Sequence, residues 1–265
     1  MQFSGNPGRR LGLPGKKAIM VTIPQSALQT EGLSANKKIK GEKNMELKGK
    51  TINFLGDSIT EGAGIEDHLE CRYDNVMLKK YGLKEVHNYG IGGTRLAYQT
   101  KISTDCPQFD LYFCGRVWQM NPNTDIVVVY GGVNDYLHGD APFGTEEDAT
   151  PATFCGAVNY LMKFFHDNYA DKTVVFMTPA HCCWEGENPD TNPSAGNSRP
   201  LSDYVDVIAK AAEKNHYPCL NLYKNPPFNP NLEEDRLKYT VDGLHPNAAG
   251  HAVLADTLAD FIAKL

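Results

Sequence analysis

The sequence predicts an α/β fold, a three-layer α/β/α sandwich around a five-stranded parallel sheet. Three observations carry that expectation. From Thr51 onward short β-rich runs alternate with longer helical patterns, the order that packs helices on both faces of a parallel sheet through right-handed crossovers. Two of the runs, Asp125–Tyr130 (DIVVVY) and Thr173–Thr178 (TVVFMT), are nearly continuous apolar segments, as strands covered on both faces are. Polar or glycine-rich punctuation follows several of the strands, where ligands collect in open parallel sheets.

Taken in order, the strands are Thr51–Leu55 (TINFL), Glu85–Tyr89, Asp125–Tyr130, Thr173–Thr178 and Cys219–Leu222. The helices between them fall at about 67–81, 109–120, 151–168, 201–215 and 248–264. Thr150 followed by Pro151 suits an N-cap and a first helical residue. In the last helix Leu254, Leu258, Phe261 and Leu265 step by four, three and four, which marks one buried face. There is no internal repeat. Residues 185–200, rich in Asn, Pro, Gly and Ser, form a long loop of the length that often serves function, as a lid does.

Composition bounds the rest. The chain has 265 residues, 41% hydrophobic and 22% charged, with a net charge of −6, ordinary proportions for a globular protein. No window approaches 18 uninterrupted apolar residues, so no membrane-spanning helix is expected. Residues 1–44 carry eight Lys or Arg against two Glu, which leaves the remainder at −12. An acidic body of that size repels phosphate backbones, so nucleic acid is not expected as a partner. Residues 1–44 read as a mobile basic tail preceding a single domain at 45–265, with Met45 a candidate natural start. Seven scattered cysteines, an odd number without paired spacing, point to reduced thiols and a cytoplasmic location. His181, Cys182 and Cys183 lack the second ligand pair of a zinc site. Neither metal nor cofactor is expected.

Four punctuations matter most. They are Gly56-Asp57-Ser58-Ile59, the NYGIGGT segment holding Gly93, the GGVND segment holding Asn134, and Asp242-Gly-Leu-His245-Pro before the last helix. Singly, each has a plain structural reading. Ser58 with Glu61 fits a capping box, Gly92-Gly93 a turn, Asn134-Asp135 a side-chain-closed turn, and His245 a surface residue ahead of a helix capped by Asn247. Jointly they do not. A specified three-residue motif arises in ~200 positions about 2% of the time, so four in order come to ~10⁻⁷.

The chemistry agrees. A serine hydroxyl is a weak nucleophile that needs a base to take its proton, and histidine is the side chain suited to that near neutral pH. A carboxylate three residues before the histidine reaches its Nδ1 within one turn and leaves Nε2 facing the serine. Ser58, His245 and Asp242 fill these three places. Activity should then rise with pH as the base loses its proton. An acyl-transfer intermediate also needs donors for its oxyanion, and the N–H groups of Ser58 and Gly93 with the Asn134 amide supply three. The G-x-S-x-G elbow of α/β-hydrolases is absent, since Thr60 stands two residues after Ser58.

These four blocks resemble those of the SGNH or GDSL hydrolase family of esterases and lipases, over about residues 50–264. The resemblance implies a flavodoxin-like fold with Ser58 as nucleophile, His245 as base and Asp242 as its orienter. It also implies an oxyanion hole from Ser58, Gly93 and Asn134. Ile59 stands where the family name has leucine, a packing change.

The expected activity is metal-independent hydrolysis of carboxylic esters, with short acyl groups such as acetyl on carbohydrates or small molecules as substrates. Asp57, Tyr98, Tyr130, Tyr136, Trp184 and Arg199 are candidates for shaping the pocket. Lysophospholipid or thioester hydrolysis is the alternative within the enzyme class, and a non-catalytic acyl-glycan binding module the alternative outside it. The sequence leaves oligomeric state open. Nucleotide binding is suggested only by Gly90-Ile91-Gly92-Gly93, which lacks the full G-x-G-x-x-G fingerprint.

Overall fold

The computed structural model describes residues 45–185 and 199–265. The proposed basic tail and nearly all of the proposed lid therefore lie outside the described residues. In chain order the elements are β1 (Thr51–Gly56), α1 (Ser58–Glu61), α2 (His68–Cys71), α3 (Tyr73–Lys80), β2 (Glu85–Gly90), α4 (Phe113–Arg116), β3 (Ile126–Tyr130) and α5 (Val133–His138). They continue with α6 (Phe154–Asn168), β4 (Thr173–Met177), α7 (Leu201–Lys214), β5 (Cys219–Leu220), α8 (Glu233–Tyr239) and α9 (Ala248–Ile262). No described helix is long and apolar enough to cross a membrane.

All five strands pair in parallel, in the order β2-β1-β3-β4-β5. This is the flavodoxin-like order, whose direction of winding reverses between β1 and β3 and so opens a crevice at their carboxyl ends. The central strands β1 and β3 are buried along their whole length, whereas the edge strand β2 is only half-buried. The difference explains the apolar runs in the middle of the sheet and the polar EVHNYG sequence at its rim.

Several local expectations give way to tertiary contacts. The helix expected at 67–81 breaks at Arg72, an extended residue (ψ 135°) whose guanidinium pairs with the buried Asp74 at 2.7 Å. The segment expected to be one helix at 109–120 is two 3₁₀ turns, Pro107–Asp110 and Val117–Gln119, around the four-residue α4. No side chain caps these turns, and their course brings Arg116 beneath the sheet ends. Helix α6 starts at Phe154, capped by Thr153, which accepts from the Gly156 N–H at 3.0 Å. Thr150 is therefore not the cap, and the Pro151 carbonyl instead receives the Tyr98 N–H at 2.7 Å. In α9 the buried face runs through His251, Leu254, Ala255, Leu258 and Ile262, while Leu265 is exposed. Asn247 does cap α9, accepting from Ala249 and Gly250.

Candidate active site

β1 ends in Gly56 and passes at once into α1. The cap of α1 is Asp57, whose Oδ1 accepts the Ile59 N–H at 3.0 Å. The capping-box reading of Ser58 and Glu61 is thereby corrected. Ser58 is the first helical residue, with its N–H among the donors that a helix leaves free at its start. The Glu61 carboxylate reaches away, to the Gly92 N–H at 2.9 Å. A side chain at Gly90 would meet the backbone nitrogen of Glu61 at 2.2 Å, so only glycine lets β2 run this close beneath α1.

Asp242 and His245 lie on the turn before α9. Asp242 Oδ1 accepts the N–H groups of Leu244 and His245 at 2.9 and 2.8 Å, which closes the turn. Its Oδ2 lies 2.7 Å from His245 Nδ1, and His245 Nε2 lies 2.9 Å from Ser58 Oγ. Burial works against ionisation of Asp242, yet the bonds from the His245 ring and from the His245 and Leu244 N–H groups prevail and hold its carboxyl below the usual range. A hydroxyl, an imidazole and a carboxylate in this chain can pass a proton from the serine to the ring while the carboxylate holds the ring's other side.

The remaining two segments border the serine. Gly93 has φ +72°, and a Cβ there would lie 2.0 Å from the Phe109 ring, so both backbone strain and contact require glycine. Neither the Gly93 nor the Ser58 N–H has a protein acceptor among the described residues. Asn134 is in α5 and not in a turn; it is 4% exposed, and its Nδ2 donates to the Thr94 carbonyl at 3.0 Å. An amide nitrogen has two N–H groups, so one remains.

The candidate pocket residues divide. Asp57 and Tyr130 are 1% and 4% exposed, sealed under the site, which corrects the expectation that they face substrate. Burial pushes the Asp57 carboxyl up to about 6, despite the Ile59 bond and the Arg116 charge. Tyr136 and Trp184 come together, the Tyr136 hydroxyl being 3.5 Å from the Trp184 carbonyl oxygen. The neighbouring Cys183 N–H donates to the Gly243 carbonyl at 3.0 Å, so these two residues flank the Asp242 turn. Tyr98 is half exposed and edge-on to Tyr112. Arg199 sits over Phe143 and pairs with Asp203 at 3.0 Å, in a groove of about 580 Å³ whose lining includes no residue of the Ser58 cluster. A cavity of about 440 Å³ is lined by Arg95, Gln99, Ile102, Phe109, His138 and others and by no residue of the Ser58 cluster; it adjoins the cluster through Phe109, which a Cβ at Gly93 would meet, and His138, which contacts Asn134.

Sequence reasoning passed over four residues here. Arg116 donates to the carbonyls of Tyr89, Gly56 and Leu111 and to Thr94 Oγ1, which ties the ends of β1 and β2 to the Gly93 loop. Burial lowers its guanidinium to about 10. The buried Asp135 accepts the N–H groups of Leu96 and Ala97 at 2.8 and 3.1 Å and so fixes the same loop; burial pushes its carboxyl up to about 7. Arg95 and His138 complete the group. Only Asp135, adjacent to Asn134, had a signal in the motif itself. Among the described residues no three His, Cys, Asp or Glu side chains gather as metal ligands, and no disulfide joins any two of the seven cysteines. Cys182 is buried and its thiol is pushed up to about 12.

A flavodoxin-like sheet with this constellation at its carboxyl edge defines the molecule as an ester-hydrolysing α/β enzyme. The sequence profile of the GDSL-like lipase/acylhydrolase family matches residues 54–253. The chain belongs to that family. It is similar to a protein of solved structure from Lactobacillus plantarum, at 28% identity and a TM-score of 0.68, over 81% of this chain and 96% of that one. An acetylxylan esterase from Geobacillus stearothermophilus shares the fold at 20% identity and a TM-score of 0.54, over 82% and 96% of the two chains. A second acetyl xylan esterase does so at 23% and 0.52, over 79% and 98%. No curated protein matches the chain.

Proposed function

We propose that the protein is a serine esterase that removes short acyl groups, acetyl foremost, from carbohydrates or small molecules through an acyl-enzyme on Ser58. The observation that carries this reading is the continuous contact from Asp242 Oδ2 through the His245 ring to Ser58 Oγ, at 2.7 and 2.9 Å. As Ser58 Oγ bonds to the ester carbon, its proton passes to His245 Nε2 and the carbonyl electron pair moves onto oxygen. That oxygen is held by the N–H groups of Ser58 and Gly93 and by Asn134. Collapse of the intermediate expels the alcohol, which takes the proton from His245. Water then repeats the sequence on the acyl-enzyme and frees the acid.

Support for a substrate rich in hydroxyl groups comes from the cavity that holds Phe109 and His138, the neighbours of Gly93 and Asn134. Charged or polar side chains such as Arg95, Gln99, Ser103 and Asp140 line it alongside Ile102 and Phe109, and they offer hydrogen bonds to hydroxyl-rich groups. Two structural neighbours described as acetylxylan esterases agree with that choice.

The test pairs a fluorophosphonate probe with p-nitrophenyl esters of increasing chain length and with acetylated xylooligosaccharides. The wild type should be labelled and should turn over acetyl esters fastest, and Ser58→Ala should do neither. Absence of labelling in the folded wild type rejects the serine nucleophile. Faster turnover of long-chain esters or lysophospholipids rejects the short-acyl preference.

A further inference from the structure

The amide of Asn134 is held from behind. Its Oδ1 lies 3.1 Å from Nε2 of His138, one turn further along α5, and Nδ1 of that ring lies 3.0 Å from Nη1 of Arg95. A guanidinium has only donors to offer, so Nδ1 must accept. The proton of the neutral ring is therefore on Nε2, from which it donates to Asn134 Oδ1. The Thr94 carbonyl independently rejects the flipped amide, because it accepts from Asn134 Nδ2 at 3.0 Å and would otherwise face an oxygen. Two fixed partners thus determine which way the amide points.

We infer that His138, locked by Arg95 as its neutral Nε2–H tautomer, is a positioning residue that aims the free N–H of Asn134 at the oxyanion. This rests on the reading of Asn134 as an oxyanion donor, and adds to it the device that sets the donor's direction before substrate arrives. A donor aligned in advance costs no reorganisation when charge develops.

The surroundings fit a fixed tautomer. Arg95 is 3% exposed, and burial lowers its guanidinium, opposed by Asp135, Asp110 and Asp140. Its Nη2 lies 3.5 Å from Asp110 Oδ1, and Asp110 is itself held by the Ser103 N–H and hydroxyl, both at 2.9 Å. Burial and the adjacent Arg95 push the His138 ring down to about 4, so it stays neutral through the neutral range. A second proton would place Nδ1–H against the guanidinium. Phe109 packs beside the ring with centroids 5.4 Å apart, and the same phenylalanine occupies the space a Gly93 side chain would need. One aromatic ring therefore abuts the segment of one oxyanion donor and the support of another.

The experiment is a double-mutant cycle on p-nitrophenyl acetate with His138→Phe, Asn134→Ala and both together, with His138→Gln as the conservative variant. His138→Phe keeps a ring against Phe109 and removes the donor. Its kcat should fall roughly ten- to a hundredfold, a part of what loss of a whole oxyanion donor costs, with KM within about twofold. His138→Gln, which retains an N–H donor, should recover most of the loss, and in the Asn134→Ala background His138→Phe should cost nothing further. Multiplicative losses, or an effect on KM alone, overturn the inference. Should His138→Phe not fold, His138→Leu takes its place in the cycle. Imidazole ¹⁵N shifts of the wild type should report Nε2–H from pH 5 to 8, and an Nδ1–H or doubly protonated ring overturns the inference without reference to activity. If Asn134→Ala falls about 10² in kcat while His138→Phe is unchanged, only this inference fails. If Asn134→Ala keeps full activity, the oxyanion reading fails with it.

Discussion

His245 Nε2 lies 2.9 Å from Ser58 Oγ across 187 positions of sequence. The contact exists because α1 begins directly at the carboxyl end of β1, while the turn before α9 carries the ring back to the same edge. Asp242 contributes twice there, with one oxygen closing the turn through backbone N–H groups and the other on the ring.

That double use predicts the outcome of Asp242→Asn. An amide nitrogen facing Nδ1 donates where the carboxylate accepted, so the ring carries its proton on Nε2 and cannot take the serine's. Turnover of p-nitrophenyl acetate should fall about 10³- to 10⁴-fold, as loss of the orienting carboxylate does in serine triads, while KM changes little. A loss below tenfold would remove Asp242 from this role.

Gly93→Ala should be worse for activity than for folding. The methyl must displace the Phe109 ring from 2.0 Å at a φ of +72°, which turns the Gly93 N–H out of line. We expect a destabilisation of about 1–3 kcal/mol by chemical denaturation and a kcat loss of about 10² or more. Unchanged kcat in a folded variant would show that this N–H is not used.

Arg116→Met tests the tie beneath the loop. Removing the guanidinium strips partners from the Tyr89, Gly56 and Leu111 carbonyls, and the side chain is 5% exposed, so water replaces them poorly. Unfolding free energy should drop by about 3 kcal/mol, measured in urea, and activity should fall with the loosened Gly93 loop.

Asp135 makes stability depend on pH. Its folded carboxyl is pushed up to about 7 by burial, against an ordinary value of 3.8, so the native state keeps a proton that the unfolded chain has lost. Stability from this group is present below the unfolded value and is lost as pH rises through about 4 to 7. In Asp135→Asn that slope is missing, so the stability of the wild type relative to the variant should decline over the interval. Denaturation midpoints at pH 4, 5, 6 and 7 measure it, and a constant difference would contradict the shift.

The sheet and the local parts of the proposed site were legible because they rest on short-range chemistry, whereas the contact between Ser58 and His245, 187 positions apart, forms only on folding. β3 and β4 are apolar runs whose burial follows from their composition. Asp242 and His245 stand three apart, so their contact is local. The one-turn spacing of Asn134 and His138 was just as visible, but histidine carries no signal of its own until Arg95, 43 residues away, fixes its tautomer.

By itself, the chain's order of residues determined a parallel α/β sandwich and put the serine, glycine and asparagine at strand ends and the aspartate and histidine on a turn before the last helix. Those outcomes follow from periodicity and from backbone turns, which act over a few residues. Only the tertiary structure decided that Asp57 and not Ser58 caps α1, that α2 and α3 part at Arg72, and that Asp57 and Tyr130 lie sealed from substrate. It also brought in Arg95, Arg116 and Asp135 through partners such as His138, Asp110, Leu96 and Gly56, 15 to 60 positions distant. Burial is a property of the assembled layers, and a buried charge acquires its role from whichever carbonyls and N–H groups the packing sets around it.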